Sequence, residues 1–189
     1  VRRLQDKAQV FPLERNDAVR TRLTHSLEVS TVSKGIAISV SQWLVKNNYI
    51  NPNMARQVET IASTCGLVHD LGNPPFGHSG EDAVREWFEE KNKTELKDFF
   101  IKNNDLAKDF LNFDGNAQTL RLLTKLQVLA DFNGLNLTYG TLSAACKYIA
   151  TSSTLKSNDF HEFSKLGVFN SEKNVFDNVQ KSTGTTNCR

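Results

Sequence analysis

The placement of proline constrains the fold of this chain most strongly. Only four prolines occur among 189 residues, and two of them are adjacent at Pro74-Pro75. Between these breaks, apolar residues recur at intervals of three and four, whereas strict two-residue alternation is rare. We therefore predict an all-α fold. Asn53 is the expected N-cap of the second helix, and the predicted helices cover residues 24–45, 54–70, 80–91, 116–131 and 139–150.

Two segments do not follow this helical pattern clearly. Residues 92–112 are charged and contain several phenylalanines, which fits either a short helix or an inserted loop. Residues 182–189 begin with a polar run, STGTTN, and are expected to form a mobile loop. The length otherwise suits one domain covering residues 1–189.

Composition places the chain among ordinary globular proteins. Hydrophobic residues make up 39% of the chain and charged residues 23%, which excludes a largely disordered protein. No apolar run approaches the roughly 18 residues needed to cross a bilayer. The three cysteines are far apart, so we expect reduced thiols and a cytoplasmic protein without a signal peptide. Because the chain starts at Val1 and its single methionine is Met54, we expect it to be part of a longer protein.

Two predicted helices carry histidine on an apolar stripe. The second stripe ends in His69, and Asp70 follows immediately. Neighbouring helical residues point about 100° apart, so both side chains can reach an ion beside the helix axis, and a crossing helix can bring His25 to it. Two imidazoles and a carboxylate suit Mn²⁺, Fe²⁺, Zn²⁺ or Mg²⁺, with positions left for water and substrate. The first stripe, which we expect to face inward, consists of His25, Val29, Val32, Ile36, Val40 and Trp43.

The glycine- and proline-rich turn after Asp70 leads to a second pair of ionisable residues. This turn is expected to hold His78 just downstream of the metal ligands, with Glu81 one helical turn further on. A histidine backed by a carboxylate is a general acid/base pair. The alternative is that His78 caps a helix and that Glu81 only offsets the helix dipole.

The first 22 residues are basic. They contain six basic and three acidic side chains, a local net charge of +3. A positive segment beside a metal site suits the capture of a triphosphate. The same charge would also suit the backbone of a nucleic acid.

Five segments resemble the HD-domain deoxynucleoside triphosphate triphosphohydrolases of the bacterial dGTPase type. They are RRLQDKAQVFPL (2–13), VRTRLTHSLEV (19–29), LVHDLGNPPFGHSGE (67–81), FDGNAQTLRLLTKL (113–126) and LTYGTLSAACKY (137–148). The resemblance implies an HD-domain helical bundle. It also implies metal-dependent hydrolysis of a dNTP, dGTP first among them, to a deoxynucleoside and inorganic triphosphate, with Mn²⁺ or Mg²⁺ as the expected ion.

The resemblance also implies roles for individual residues. His25, His69 and Asp70 match the metal ligands of the family, and His78 and Glu81 match its acid/base pair. Arg22 matches an arginine that approaches the phosphates, and Gln9, or alternatively Gln5, matches a glutamine that meets the deoxyribose 3′-hydroxyl. The family's fourth metal ligand, an aspartate in a later helix, is expected beyond residue 189. Further substrate positions are implied for Asn116, Lys147, Tyr148 and Lys165.

The resemblance implies a homo-oligomer, hexameric in the family, and regulation by a dNTP or by single-stranded DNA, with no membrane involvement.

Other functions remain open at this point. The alternative enzyme function is another HD phosphohydrolase activity, such as that of a nucleotidase or phosphodiesterase, which would give a different product. A nucleic-acid-binding regulatory module with a vestigial site would explain the basic first segment. A purely helical interaction domain is disfavoured because it has no need of all five ionisable residues.

Overall fold

A computed structural model describes residues 2–9, 11, 16, 18–126, 133–155 and 165–186. Within these ranges the chain is mostly helical, which confirms the predicted fold class. A 3₁₀ turn (Arg2–Leu4) precedes the first long helix, and a two-stranded parallel sheet pairs β1 (Ala150–Thr151) with β2 (Leu166–Val168). The α-helices are α1 (Arg22–Lys46), α2 (Pro52–Val68), α3 (His78–Lys93), α4 (Lys97–Lys102), α5 (Asn104–Leu111), α6 (Gly115–Arg121), α7 (Tyr139–Ala145) and α8 (Lys173–Thr183).

The chain divides into two compact units, Val1–Asp70 and Leu71–Arg189. In the first unit, α1 packs along α2. Thr21 caps α1 through a reciprocal hydrogen-bonding pattern with Thr24. The N-terminal segment is held at this end of α1, because Ala8 forms an antiparallel bridge with Thr21 and the Arg22 N–H donates to the Lys7 carbonyl over 3.0 Å.

The buried face of α1 differs from the predicted one. The prediction that the Val32–Ile36–Val40–Trp43 stripe faces inward is wrong, since these four side chains are all exposed, Ile36 by 62%. Small residues are buried instead, because α1 and α2 approach each other very closely. A Cβ at Gly66 of α2 would lie 2.7 Å from Ser30 Cα, and the residues buried along α1 are Arg22, Ser26, Ala37 and Ser41.

Several helix ends also differ from the sequence-based prediction. Helix α2 begins at Pro52 after Asn51, two residues before the predicted start, because proline is well suited to a first helical position. The predicted N-cap at Asn53 is therefore wrong. Helix α7 ends at Ala145 rather than at residue 150, because Cys146 has an extended backbone. Residues 92–112 are largely occupied by α4 and α5.

The predicted helix over residues 116–131 is only partly seen. Helix α6 begins at Gly115 and continues into a π-helical turn (Leu122–Leu126), and residues 127–131 lie outside the described ranges. Near the C-terminal end of the described residues, helix α8 includes Ser182 and Thr183. The segment 182–189, predicted as a loop, therefore starts as helix, and residues 187–189 lie outside the described ranges.

The core of the second unit forms where α6 meets β2. Ala117, Leu166 and Phe169 are fully or almost fully buried, and Phe113 packs against them. A separate aromatic cluster joins α3 to α5, with the ring centroids of Phe88 and Phe110 4.5 Å apart. In the described part of the chain, no helix is both long and apolar enough to span a membrane.

Candidate active site

The side chains of His25, His69 and Asp70 meet at one end of the first unit. One potential ligand atom from each residue lies within 4.8 Å of the other two. The imidazole centroids are 5.2 Å apart. His69 Nε2 lies 3.4 Å from Asp70 Oδ1, and His25 Nε2 lies 4.0 Å from Asp70 Oδ2. Within the residues that the structure describes, the group has these three members, and they could hold a metal ion together.

The helices explain this convergence. His25 lies in the first turn of α1, whereas His69 caps the last turn of α2 and Asp70 follows it. Because α1 and α2 are tightly packed, the start of one helix and the end of the other deliver their side chains to the same place.

The orientation of the His69 ring is set by a backbone carbonyl. His69 Nδ1 lies 2.7 Å from the Gly66 oxygen. A carbonyl oxygen only accepts hydrogen bonds, so Nδ1 carries a proton, and in the neutral imidazole the lone pair is then on Nε2. A neutral imidazole with a free Nε2 and a hydrogen-bonded Nδ1–H is the usual state of a metal-binding histidine. This donor set therefore fits a divalent cation.

Arg22 forms a buried ion pair with the candidate metal ligand Asp70. Arg22 Nη1 lies 2.9 Å from Asp70 Oδ2, and the exposed fractions of the two side chains are 5% and 11%. The Nε of Arg22 has no hydrogen-bond acceptor among the described residues. The guanidinium predicted to approach phosphates thus lies directly beside the metal-binding group.

The N-terminal segment adds two polar side chains near this end of α1. Gln9 is half-buried and its Oε1 has no partner among the described residues, whereas Gln5, the alternative, is exposed. Lys7, which was not among the predicted site residues, lies close enough to Arg22 and Asp70 for their charges to act on its ammonium. Partial burial lowers the pKa of the Lys7 ammonium; the charges of Arg22 and Arg3 lower it further, and Asp70 opposes them.

In the second unit, His78 and Glu81 both lie in the first turn of α3. His78 is exposed, whereas Glu81 is the one residue of this helix that is buried. Glu81 Oε1 accepts a hydrogen bond from the Gly115 N–H over 3.0 Å. No hydrogen bond joins His78 to Glu81 within the described ranges, so the predicted acid/base contact is not part of this structure.

The remaining predicted substrate positions surround α6 and β2. Asn116 is bound to the N-cap of its own helix, since its side-chain amide donates to Asp114 Oδ1 over 2.7 Å. Tyr148 is buried, and the ammonium of Lys147 lies 5.2 Å from its ring centroid. Lys165 is exposed and immediately precedes β2. Strand β2 runs beside residue 148, since a Cβ at Gly167 would overlap the Tyr148 carbonyl.

Comparison with protein families identifies the class of this fold and site. The sequence-family model of the HD domain matches residues 22–126, a range that includes His25, His69 and Asp70. The chain therefore belongs to the HD domain family, which confirms the resemblance seen in the sequence. Membership of this family implies a divalent metal ion.

Individual relatives show a more specific similarity than the family model does. A deoxyguanosinetriphosphate triphosphohydrolase-like protein of Listeria monocytogenes is 42% identical over 193 residues, covering 96% of this chain and 40% of the relative. A protein of the same name from Synechocystis is 41% identical over 192 residues, covering 97% and 42%. A deoxyguanosinetriphosphate triphosphohydrolase of Enterobacter is 36% identical over 174 residues, covering 78% and 33%. The chain thus spans about 40% of the length of the first two relatives.

Proposed function

We propose that the protein containing this chain is a metal-dependent deoxynucleoside triphosphate triphosphohydrolase, with dGTP as its expected substrate. The names of the relatives support this activity. The observation that carries the proposal is the meeting of His25, His69 and Asp70, with Arg22 bound to the same carboxylate. A metal-binding group with a guanidinium at its edge combines the two features that a polyphosphate substrate requires.

Five residues of the first unit are proposed to bind the metal and the substrate. His25, His69 and Asp70 hold the ion, for which Mn²⁺ or Mg²⁺ is expected; when bound, such an ion polarises a phosphate oxygen. Arg22 binds a phosphate through its guanidinium. The Oε1 of Gln9, buried and without a partner among the described residues, accepts a hydrogen bond from the deoxyribose 3′-hydroxyl.

His78 is the proposed proton-transfer group. Water attacks the α-phosphorus, the bond from phosphorus to the nucleoside 5′-oxygen breaks, and inorganic triphosphate and a deoxynucleoside result. His78 exchanges a proton with one of the reacting oxygens. The substrate is further contacted by Asn116, Lys147, Tyr148 and Lys165.

The proposal also covers the location, oligomeric state and regulation of the enzyme. It acts as a cytoplasmic homo-oligomer, and a dNTP or single-stranded DNA regulates it. The basic residues of the first segment supply cations for these polyanions.

The test is a product analysis with the complete protein. Each dNTP is incubated with Mn²⁺ or Mg²⁺, and the products are separated by ion chromatography. Inorganic triphosphate and deoxynucleoside, formed in one step, are expected. Orthophosphate as the primary product would instead support a different HD phosphohydrolase.

A variant of His78 tests the assignment of the proton-transfer group. His78→Ala should lower kcat by ~10²–10⁴-fold, the usual contribution of general acid/base catalysis. Its metal content should equal that of the wild type, because His78 is not among the metal ligands. Wild-type turnover by this variant would show that another residue transfers the proton.

A further inference from the structure

Glu81 is buried in a helix whose other residues are largely accessible to solvent. Its exposed fraction is 4%, although α3 has mainly polar and charged side chains. A carboxylate is costly to bury unless hydrogen bonds or a cation compensate it. Glu81 has both: Oε1 accepts from the Gly115 N–H at 3.0 Å, and Oε2 lies 3.5 Å from Arg85 Nη2.

The contact between Glu81 and Gly115 is sterically specific. Gly115 is the first residue of α6, where backbone N–H groups have no acceptor within the helix. A Cβ at residue 115 would lie 2.8 Å from Glu81 Oε1 and would overlap Asn73 Oδ1. A side chain at position 115 would therefore displace the Glu81 carboxylate or the Asn73 amide.

A second contact fixes the other end of the same turn. The Gly72 N–H donates to Thr119 Oγ1 over 3.0 Å, and this hydroxyl donates to the Gly115 carbonyl over 2.9 Å. A Cβ at Gly72 would overlap the Gly115 oxygen. The segment from residue 72 to residue 81, which contains His78, is thus attached to the first turn of α6 at both of its ends.

We propose that Glu81 is a positioning residue, which holds the first turn of α3 and therefore His78 in place through the Gly115 N–H, and that it exchanges no proton with the substrate. The inference rests on the proposed function, because His78 is the group being positioned. It assigns to Glu81 a role different from that of a partner of the His78 imidazole. It also makes Gly115 and Thr119 part of the support of the site.

This role requires a hydrogen-bond acceptor at position 81 but not a negative charge. Glutamine offers an amide oxygen at the same distance along the side chain, so Glu81→Gln can accept from the Gly115 N–H. Alanine cannot, and it leaves a buried N–H without an acceptor. A residue that transfers protons would be disabled by both substitutions.

The experiment compares kcat, KM and the pH profile of kcat for the complete enzyme with its metal bound. Glu81→Ala is expected to lower kcat by roughly 10²-fold, the effect of misplacing a reacting group by about 1 Å. Its KM for dGTP and its metal content should stay near the wild-type values. Glu81→Gln should recover most of the lost kcat and keep the wild-type pH profile. Glu89→Ala, which removes an exposed acid from the same helix, is the control and should behave as wild type.

The second contact provides an independent variant should Glu81→Ala fail to fold. Thr119→Val removes the acceptor for the Gly72 N–H in a side chain of the same shape, and it should lower kcat more than Thr119→Ser does. The inference is overturned if Glu81→Gln loses as much kcat as Glu81→Ala, or if its pH profile shifts. Absence of triphosphate with the wild-type enzyme would overturn the proposed function as well, so the two failures are distinguishable.

Discussion

The Nη1 atom of Arg22 lies 2.9 Å from Oδ2 of Asp70, and both side chains are buried. Arg22 begins α1 and Asp70 follows the end of α2, so this ion pair connects the two helices at the end where His25 and His69 also lie. The same carboxylate is therefore both a structural partner of an arginine and a member of the metal-binding group.

Replacing Arg22 should reveal the structural part of this relationship. Arg22→Ala removes the buried cation of this ion pair, so the free energy of unfolding of the metal-free protein should fall by about 3–5 kcal/mol. Urea denaturation in the presence of a chelator measures this loss. Arg20→Ala is the control, because Arg20 forms its 2.8 Å ion pair with Glu28 in an exposed position and should cost less than about 1 kcal/mol. Equal losses for the two variants would contradict the prediction.

Metal binding should depend on Asp70 and not on His78. Asp70→Asn removes the anionic ligand of the group and should weaken Mn²⁺ binding by more than the ~10–100-fold typical of residues that only support metal ligands. Isothermal titration calorimetry of the chelator-treated protein gives both affinity and stoichiometry. His78→Ala is expected to bind Mn²⁺ as the wild type does. A loss of affinity in both variants, or in neither, would refute the assignment of the ligands.

Only part of the meeting of His25, His69 and Asp70 could be predicted from local pattern, because the approach of His25 depends on the packing of α1 against α2. Helical spacing places each histidine relative to its own helix, and the adjacency of His69 and Asp70 is a property of the chain itself. The tautomer of His69 could not be predicted, because it depends on which carbonyl, here that of Gly66, lies beside Nδ1.

The buried face of α1 could not be predicted by the same reasoning. Periodicity shows that Val32, Ile36 and Val40 share a face, but it does not show which face meets another helix. The close approach at Gly66 and Ser30 decides that small residues are buried. The hydrogen bond between Glu81 and the Gly115 N–H likewise could not be predicted from local periodicity, because the two residues are 34 positions apart in the chain.

The close approach of α1 and α2 makes a prediction about glycine. Gly66→Ala places a Cβ 2.7 Å from Ser30 Cα, so the helices must separate, and the free energy of unfolding should fall by about 1–3 kcal/mol. Gly35→Ala is the matched control within α1, because no atom lies within 4 Å of its added Cβ. This second substitution should stabilise the protein by about 0.5–1 kcal/mol through helix propensity alone. Thermal or urea denaturation of both variants measures the difference, and the same sign for both would contradict the packing described.

The stability of the second unit should depend on pH through Asp109. Burial raises the pKa of the Asp109 carboxyl above its ordinary value of 3.8, and the negative charge of Glu172 raises it further. Hydrogen bonds from the Asn170 N–H and the Ser152 hydroxyl, together with the charge of Arg121, lower the pKa but do not outweigh burial. The folded state therefore holds this proton more tightly than the unfolded state does. The resulting stabilisation is complete below the unfolded-state pKa and is lost as the pH rises through the folded-state pKa.

Asp109→Asn isolates this effect because the amide does not titrate. The free energy of unfolding of the wild type minus that of the variant should decrease between about pH 3 and about pH 7, by about 1.4 kcal/mol for each unit by which the pKa is raised. Urea denaturation at a series of pH values provides both free energies, and the contributions of titrating groups that are not coupled to Asp109 cancel in their difference. A difference that stays constant or grows with pH would mean that the hydrogen bonds from Asn170 and Ser152 outweigh burial at this carboxylate.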